Sequence, residues 1–195
     1  MAGTPRTDVA PDRLAIIQDL ANSYDQARGR DELVDAAAAS DWLAKRGLLA
    51  ADARLSISTA DFELLRSLRT AIRGLCLANS GCAGDPEAER LLNSVGRAAG
   101  VHPRLVNHGQ ADLAVSSGGG LGAIGRLVGI VFEAIWSGTW PRLKACPGDA
   151  CNYAFYDHTR NNSRQWCSMS RCGSRAKMRA YRARQRAQLT PLRGS

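Results

Sequence analysis

The chain has 195 residues, 45% of them hydrophobic and 23% charged, the composition of an ordinary globular protein with room for one average domain, or one domain and a small module. Its net charge of +8 is lopsided: residues 1–140 carry 14 Lys+Arg against 16 Asp+Glu, whereas residues 141–195 carry 12 against 2. That asymmetry points to a polyanionic partner for the last quarter, nucleic acid first, against the plainer reading of a solubilising basic tail.

The first twenty residues carry Asp8, Asp12 and Asp19 and lack an apolar core long enough for a secretory signal. From Pro11 the pattern turns helical, with Leu14, Ile17 and Leu20 on one face and Tyr24 four further on. Asp31 is the candidate cap of a second helix holding Leu33, Val34, Ala37, Trp42 and Leu43 in register, with Gly47 as its stop. Thr59 or Asp61 is placed to cap a third helix, striped by Phe62, Leu65, Leu68, Ile72, Leu75 and Cys76. SGCAGDPE breaks the pattern, and EAERLLNSVGRAA predicts a shorter helix. VHPRLVNHGQADLAVS alternates around NHGQ and predicts a short hairpin. LGAIGRLVGIVFEAIWSG predicts a mostly buried helix; Arg126 and Glu133 interrupt it, so it falls short of a membrane span. These features together predict a soluble, cytoplasmic protein, the setting in which disulfides are rare and clustered cysteines bind metal or do redox chemistry.

Pro141 ends the helical pattern, and the last segment has a different character. Cys146 and Cys151 bracket the turn PGDA, and Cys167 and Cys172 bracket SMSR. Between them NYAFYD suits a strand, HTRNNSR a turn, and QWC a short strand pairing back on NYAFYD. GSRAKMRAYRARQRAQ then runs on as a helix. Two C-x4-C pairs separated by 15 residues supply four thiolates, enough to close a tetrahedral site on one structural Zn2+ with no open position for catalysis. A module this small needs such a staple, since its apolar surface alone does not hold it together. Two disulfides or four unrelated thiols are the alternatives, and His158, placed between the pairs, is either a substitute ligand for one cysteine or, as a lone histidine in a turn usually is, a solvated side chain.

RNNSRQWCSMSRCGSRAKMRAYRAR resembles the signature of the CGNR-type zinc-finger family, with Cys172-Gly173-Ser174-Arg175 in place of Cys-Gly-Asn-Arg. KACPGDACNYAFYDHTRN fits the same family. Its members carry an N-terminal helical ABATE-type domain, whose opening LAIIQDLANSYD resembles through Asp19, Asn22 and Ser23. The resemblance implies a bacterial, stress-linked transcription regulator with a C-terminal DNA-binding finger. The departure at Ser174 bears on any contact made by the family's asparagine, not on the metal site.

Independently, Arg171, Arg175, Arg179, Arg182 and Arg186 form one stripe at helical spacing, with Ala176, Ala180, Ala183 and Ala187 alongside, a face expected to lie on the zinc site and hairpin. No Asp or Glu occurs from Arg160 to Ser195 to neutralise the stripe. Arginine forks suit phosphates and guanine edges. Arg164, Arg171, Arg175, Lys177, Arg179, Arg182 and Arg186 are therefore the candidate contacts to duplex DNA. RNA binding is an alternative, with Tyr153, Phe155, Tyr156, Trp166 and Tyr181 as stacking candidates, and so is a protein-interaction zinc module. SSGGGLGAIGR lacks the Lys-Ser/Thr of a P-loop and reads as a loop with small-residue helix packing; Cys76 reads as core, Cys82 as a turn thiol. His102 and His108 have no acid or nucleophile beside them in sequence. An enzyme in the helical domain with a purely structural zinc is a further alternative, but no catalytic cluster emerges from spacing, so no enzyme is expected.

The expected fold is mainly α (α+β): a helical domain with a short β-hairpin over residues 1–140, then a treble-clef-like or ribbon-like four-cysteine zinc finger over 141–190. The N-terminal domain is expected to sense a signal or dimerise, with a homodimer and a small-molecule ligand as further partners and no membrane.

Overall fold

Six α-helices and three antiparallel hairpins build the computed structural model, which describes residues 8–49, 57–106, 109–148 and 151–189. Helix α1 (Leu14–Asn22) buries Leu14, Ile17 and Leu20 as its spacing predicts. It stops short of Tyr24, which pairs instead in a two-residue hairpin, β1 (Tyr24–Asp25) with β2 (Arg30–Asp31). Strands of two residues leave no periodic signal in the sequence. Its turn needs Gly29, at φ +63°.

The caps differ from expectation in two helices. Asp35, not Asp31, caps α2 (Ala36–Lys45), accepting from the Ala38 amide at 2.8 Å. Asp31 is held elsewhere: its carboxylate takes both guanidinium nitrogens of Arg69, at 2.5 and 2.9 Å. The later start leaves Val34 outside the helix and 67% exposed, while Leu33 is buried. Ser58 caps α3 (Thr59–Asn79), accepting from the Asp61 amide at 3.0 Å, so Thr59 and Asp61 lie inside the first turn. The predicted stripe of α3 is buried at Phe62, Leu65, Leu68, Ile72 and Cys76.

Helix α4 (Pro86–Ala99) is capped by Asp85 and stopped by Gly100 in the left-handed conformation. The hairpin β3 (Val101–Val106) and β4 (Gln110–Val115) pairs Val101 with Val115 through Val106 with Gln110; His108 lies outside the described residues. Helix α5 (Gly119–Trp136) is long and apolar enough to cross a membrane. Its place here is the centre of the fold, packed on α1, α3, α4 and β4, with Ile124, Leu127, Val128, Ile130 and Val131 buried. The glycines permit that packing. A Cβ on Gly125 would lie 2.5 Å from the Ala99 Cβ.

After a 3-10 turn (Trp140–Arg142), β5 (Leu143–Ala145) pairs antiparallel with β6 (Ala154–Tyr156). The partner of NYAFYD is thus LKA upstream, not QWC downstream. All six residues of this hairpin are buried, β5 against α3 and β6 against α1. Leu143, Ala145, Ala154 and Tyr156 belong to the same apolar cluster as the helices. Side chains of the helices complete the sheet's unpaired polar groups. The Asn22 carboxamide accepts from the Ala154 amide at 2.8 Å and donates to its carbonyl at 2.9 Å, serving as one residue of a missing strand. Ser80 donates to the Ala145 carbonyl at 2.6 Å, and Asn79 to those of Trp140 and Leu143, both at 2.9 Å. A π-helical turn (Met169–Gly173) then leads into α6 (Ser174–Leu189).

Candidate zinc centre and basic helix

The two cysteine turns converge as their spacing predicts. The sulfurs of Cys146, Cys151, Cys167 and Cys172 all lie within 4.8 Å of one another. Cys151 and Cys167 are 3.5 Å apart, Cys167 and Cys172 3.7 Å. A tetrahedron of Zn–S bonds of about 2.3 Å sets its sulfurs about 3.8 Å apart, so the donor set fits one zinc ion. Backbone geometry supports each turn. The Cys151 amide donates to the Gly148 carbonyl at 3.0 Å, and the Cys172 amide to the Ser168 carbonyl at 2.9 Å. Gly148 faces the cluster, where a Cβ would lie 3.5 Å from the Cys146 and Cys172 sulfurs.

The electrostatics call for a cation. Hydrogen bonding from Cys167 holds the Cys146 thiol down at about 5, so one thiolate is stabilised by its neighbours. The Cys146 hydrogen bond, then burial, push Cys167 up, and burial pushes Cys172 up to about 11. One negative charge is welcome and further ones are resisted. Only a metal ion lets all four sulfurs ionise together. His158 is not part of the cluster: its Nε2 lies 2.8 Å from the Val9 carbonyl, and its ring packs on Tyr156.

A second, buried polar centre braces the loop between the cysteine pairs, and sequence reasoning missed it. Lys144 Nζ donates to Asp157 Oδ2 at 2.9 Å and to the carbonyls of Asn162 and Arg164 at 2.8 and 3.0 Å. Asp157 also accepts from Thr159 Oγ1 and from the Thr159 and Arg164 amides. Burial opposes the charge on Asp157, but these donors prevail and hold its carboxyl at about 2. The signal in the sequence is a lone lysine in the middle of LKA, an otherwise apolar strand, and one aspartate just after its partner strand.

The predicted nucleic-acid contacts divide. Arg164 faces inward: its guanidinium lies 4.5 Å from the Phe155 ring centroid and donates to the carbonyls of Trp166, at 3.0 Å, and Cys167. It thereby fastens the second cysteine turn onto β6. Arg171, Arg175, Lys177, Arg179, Arg182 and Arg186 are all exposed on or beside α6. The alanine face does not dock as expected. Ala176 is half-buried, but Ala180 and Ala183 are exposed, because the hairpin that would have received them is itself buried under α1 and α3. Of the aromatic candidates Phe155 and Tyr156 are core, Tyr153 and Trp166 are half-buried, and Tyr181 is 52% exposed. Cys76 is buried and Cys82 exposed; His102 Nδ1 lies 2.8 Å from the Gly100 carbonyl.

The family model for ABATE, described as "Putative stress-induced transcription regulator", matches residues 14–135, more than half of the chain. This chain belongs to the ABATE family. The model of the CGNR zinc finger matches residues 142–185, in the order the sequence resemblance implies. No curated protein matches the chain. In this ABATE protein the finger match spans both cysteine pairs, the Lys144–Asp157 centre and most of α6. Of the three residues that carry the N-terminal resemblance, Asn22 clamps the finger's strand β6. Ser23 accepts from Arg69, and Asp19 accepts from Arg46.

Proposed function

We propose that this chain is a zinc-dependent transcription regulator whose α6 contacts duplex DNA. The observation that carries the reading is the state of α6. From Ser174 to Arg186 it is exposed at every residue but the half-buried Ala176, and Arg171, Arg175 and Arg182 have no acidic partner among the described residues. A helix of that kind gains nothing by folding onto its own protein, and its cations suit phosphates. It is narrow enough to enter a major groove about 12 Å wide. The N-terminal domain is assigned sensing or dimerisation, with a small-molecule ligand or a second copy as its partner. The regulator acts in the cytoplasm, by binding and not by catalysis. Buried Cys76, its thiol pushed up to about 12 by burial, stays a protonated core residue, and Asp19, Asp25 and Asp31 are each occupied by an arginine.

Selection from a random duplex DNA pool with zinc-loaded protein, beside a single-stranded RNA pool, tests this. An enriched DNA motif is the expected result, and a palindromic one adds a dimer. Arg175→Ala and Arg179→Ala weaken binding and each reduce the salt slope by about 0.9 for one lost phosphate contact. Equal enrichment-free binding to both pools would sink the sequence-specific reading.

A further inference from the structure

The arginine stripe of α6 does not look only into open solvent. Its first half lines a cleft of about 920 Å³ whose opposite wall is the β1–β2 hairpin of the N-terminal domain. Arg171, Arg175 and Arg179 line one side, and Arg28 and Arg30 the other. The two sides are tied together. Asn152, just past the first cysteine turn, donates from its carboxamide to Gln26 Oε1 at 2.8 Å. The hairpin tip therefore sits beside the zinc centre, not on a separate face.

The charges in the cleft are unequally committed. Asp19, Asp25 and Asp31 are already bonded to Arg46, Arg28 and Arg69. Arg30, Arg171 and Arg175 have no acidic partner among the described residues. Arg28 is held by Asp25 at 2.7 Å, but that pair is exposed on the arginine side and worth little, so it exchanges readily for a phosphate. Asp8 and Glu32 line the same cleft, and neither has a basic partner among the described residues; of the two, Glu32 is exposed.

We propose that this cleft is a second phosphate-binding wall: when α6 enters a groove of duplex DNA, the sugar-phosphate backbone of one strand lies in the cleft and is gripped from the N-terminal side by Arg30 and Arg28. The inference rests on the DNA-binding reading of α6 and goes beyond it, because it makes the N-terminal domain part of the interface. A recognition helix leaves the flanking backbone uncovered, and phosphates there are read by positioning contacts without sequence preference. The β1–β2 hairpin supplies Arg28 and Arg30 to the same cleft that Arg171, Arg175 and Arg179 line. Glu32 then opposes the same backbone, which gives the proposal a second, oppositely signed consequence.

The test is the salt dependence of binding of zinc-loaded, full-length protein to a mixed-sequence duplex. Arg30→Ala, Glu32→Gln and Arg175→Ala are compared with Arg97→Ala, an exposed arginine on α4 that does not line the cleft. Arg30→Ala is expected to weaken binding and lower the salt slope by about 0.9, and Glu32→Gln to tighten binding, with Arg97→Ala unchanged. If Arg30→Ala behaves like Arg97→Ala while Arg175→Ala still weakens binding, the second wall is overturned and the reading of α6 stands. If Arg175→Ala also binds as the unaltered protein does, the reading of α6 fails and the second wall fails with it.

Discussion

The two halves of the zinc finger are built on opposite principles. The hairpin β5–β6 has all six residues buried and its polar backbone atoms met by side chains from α1 and α3. Helix α6, separated from β6 by residues 157–173, is exposed at every residue from Ser174 to Arg186 but Ala176 and touches little beyond the π-helical turn that precedes it. The first half is an extension of the N-terminal core; the second is held to that core through the cysteine cluster and the loop braced by Lys144, Asp157 and Arg164. The contrast teaches what the zinc is for. Apolar burial anchors the hairpin without metal, whereas α6 has no core to anchor it and depends on Cys167 and Cys172 for its position.

Zinc removal is expected to have the largest effect and to fall on α6 alone. Structural zinc contributes on the order of 10 kcal/mol to a four-thiolate module. Chelation of the full-length protein, followed by amide hydrogen exchange, is expected to abolish protection in residues 170–189 while the Ala154 and Tyr156 amides stay protected. Cys167→Ser is expected to do the same and to drop the bound zinc from one to none by elemental analysis. Equal loss of protection in both halves would mean that the hairpin, too, is held by the metal.

The buried Lys144–Asp157 pair ranks next. The Asp157 carboxyl is lowered from its ordinary 3.8 to about 2, so its contribution is complete above pH ~4 and is lost as the pH falls through 2. The shift corresponds to about 2 kcal/mol. Lys144→Met leaves a buried carboxylate without its cation and is expected to cost about 3–5 kcal/mol. Its acid unfolding limb also moves to higher pH, since the unpaired carboxyl takes up a proton sooner. Thermal melts at several pH values check both.

The smallest effects separate the halves most cleanly. Asn22→Ala removes both bonds to Ala154 and is expected to destabilise the fold by about 1–3 kcal/mol, because a buried strand edge is left unsatisfied. Met178→Ala, on the 52% exposed Met178 of α6, is expected to stay within about 0.5 kcal/mol. A comparable loss at Met178 in denaturant melts would show that α6 packs on something after all.

Much of this was legible along the chain because it depends on local pattern. The helical stripes of α1 and α3 repeat every three or four residues, α5 is a long apolar run, and the β3–β4 hairpin alternates around its turn. The four cysteines announce a metal site by spacing, since two tight turns with paired thiols have few other uses. Other features were not legible, because the competing choices are equivalent locally. Asp31 and Asp35 are both good caps, and only the reach of Arg69 from α3 removes Asp31 from the contest. QWC and LKA are both short enough to pair with β6, and burial between α1 and α3 selects LKA.

The sequence by itself determined the class of fold, the metal site and the concentration of positive charge at the end of the chain, all set by residue type at short spacing. Tertiary structure alone decided that the finger's hairpin joins the N-terminal core, that Arg164 turns inward while the helix arginines face out, and that Arg30 stands across a cleft from Arg175. The first and last of those outcomes depend on contacts between residues far apart in the chain, as between Asn22 and Ala154, and the inward turn of Arg164 depends on where the buried Phe155 ring lies; no local pattern encodes which partner satisfies a buried polar group.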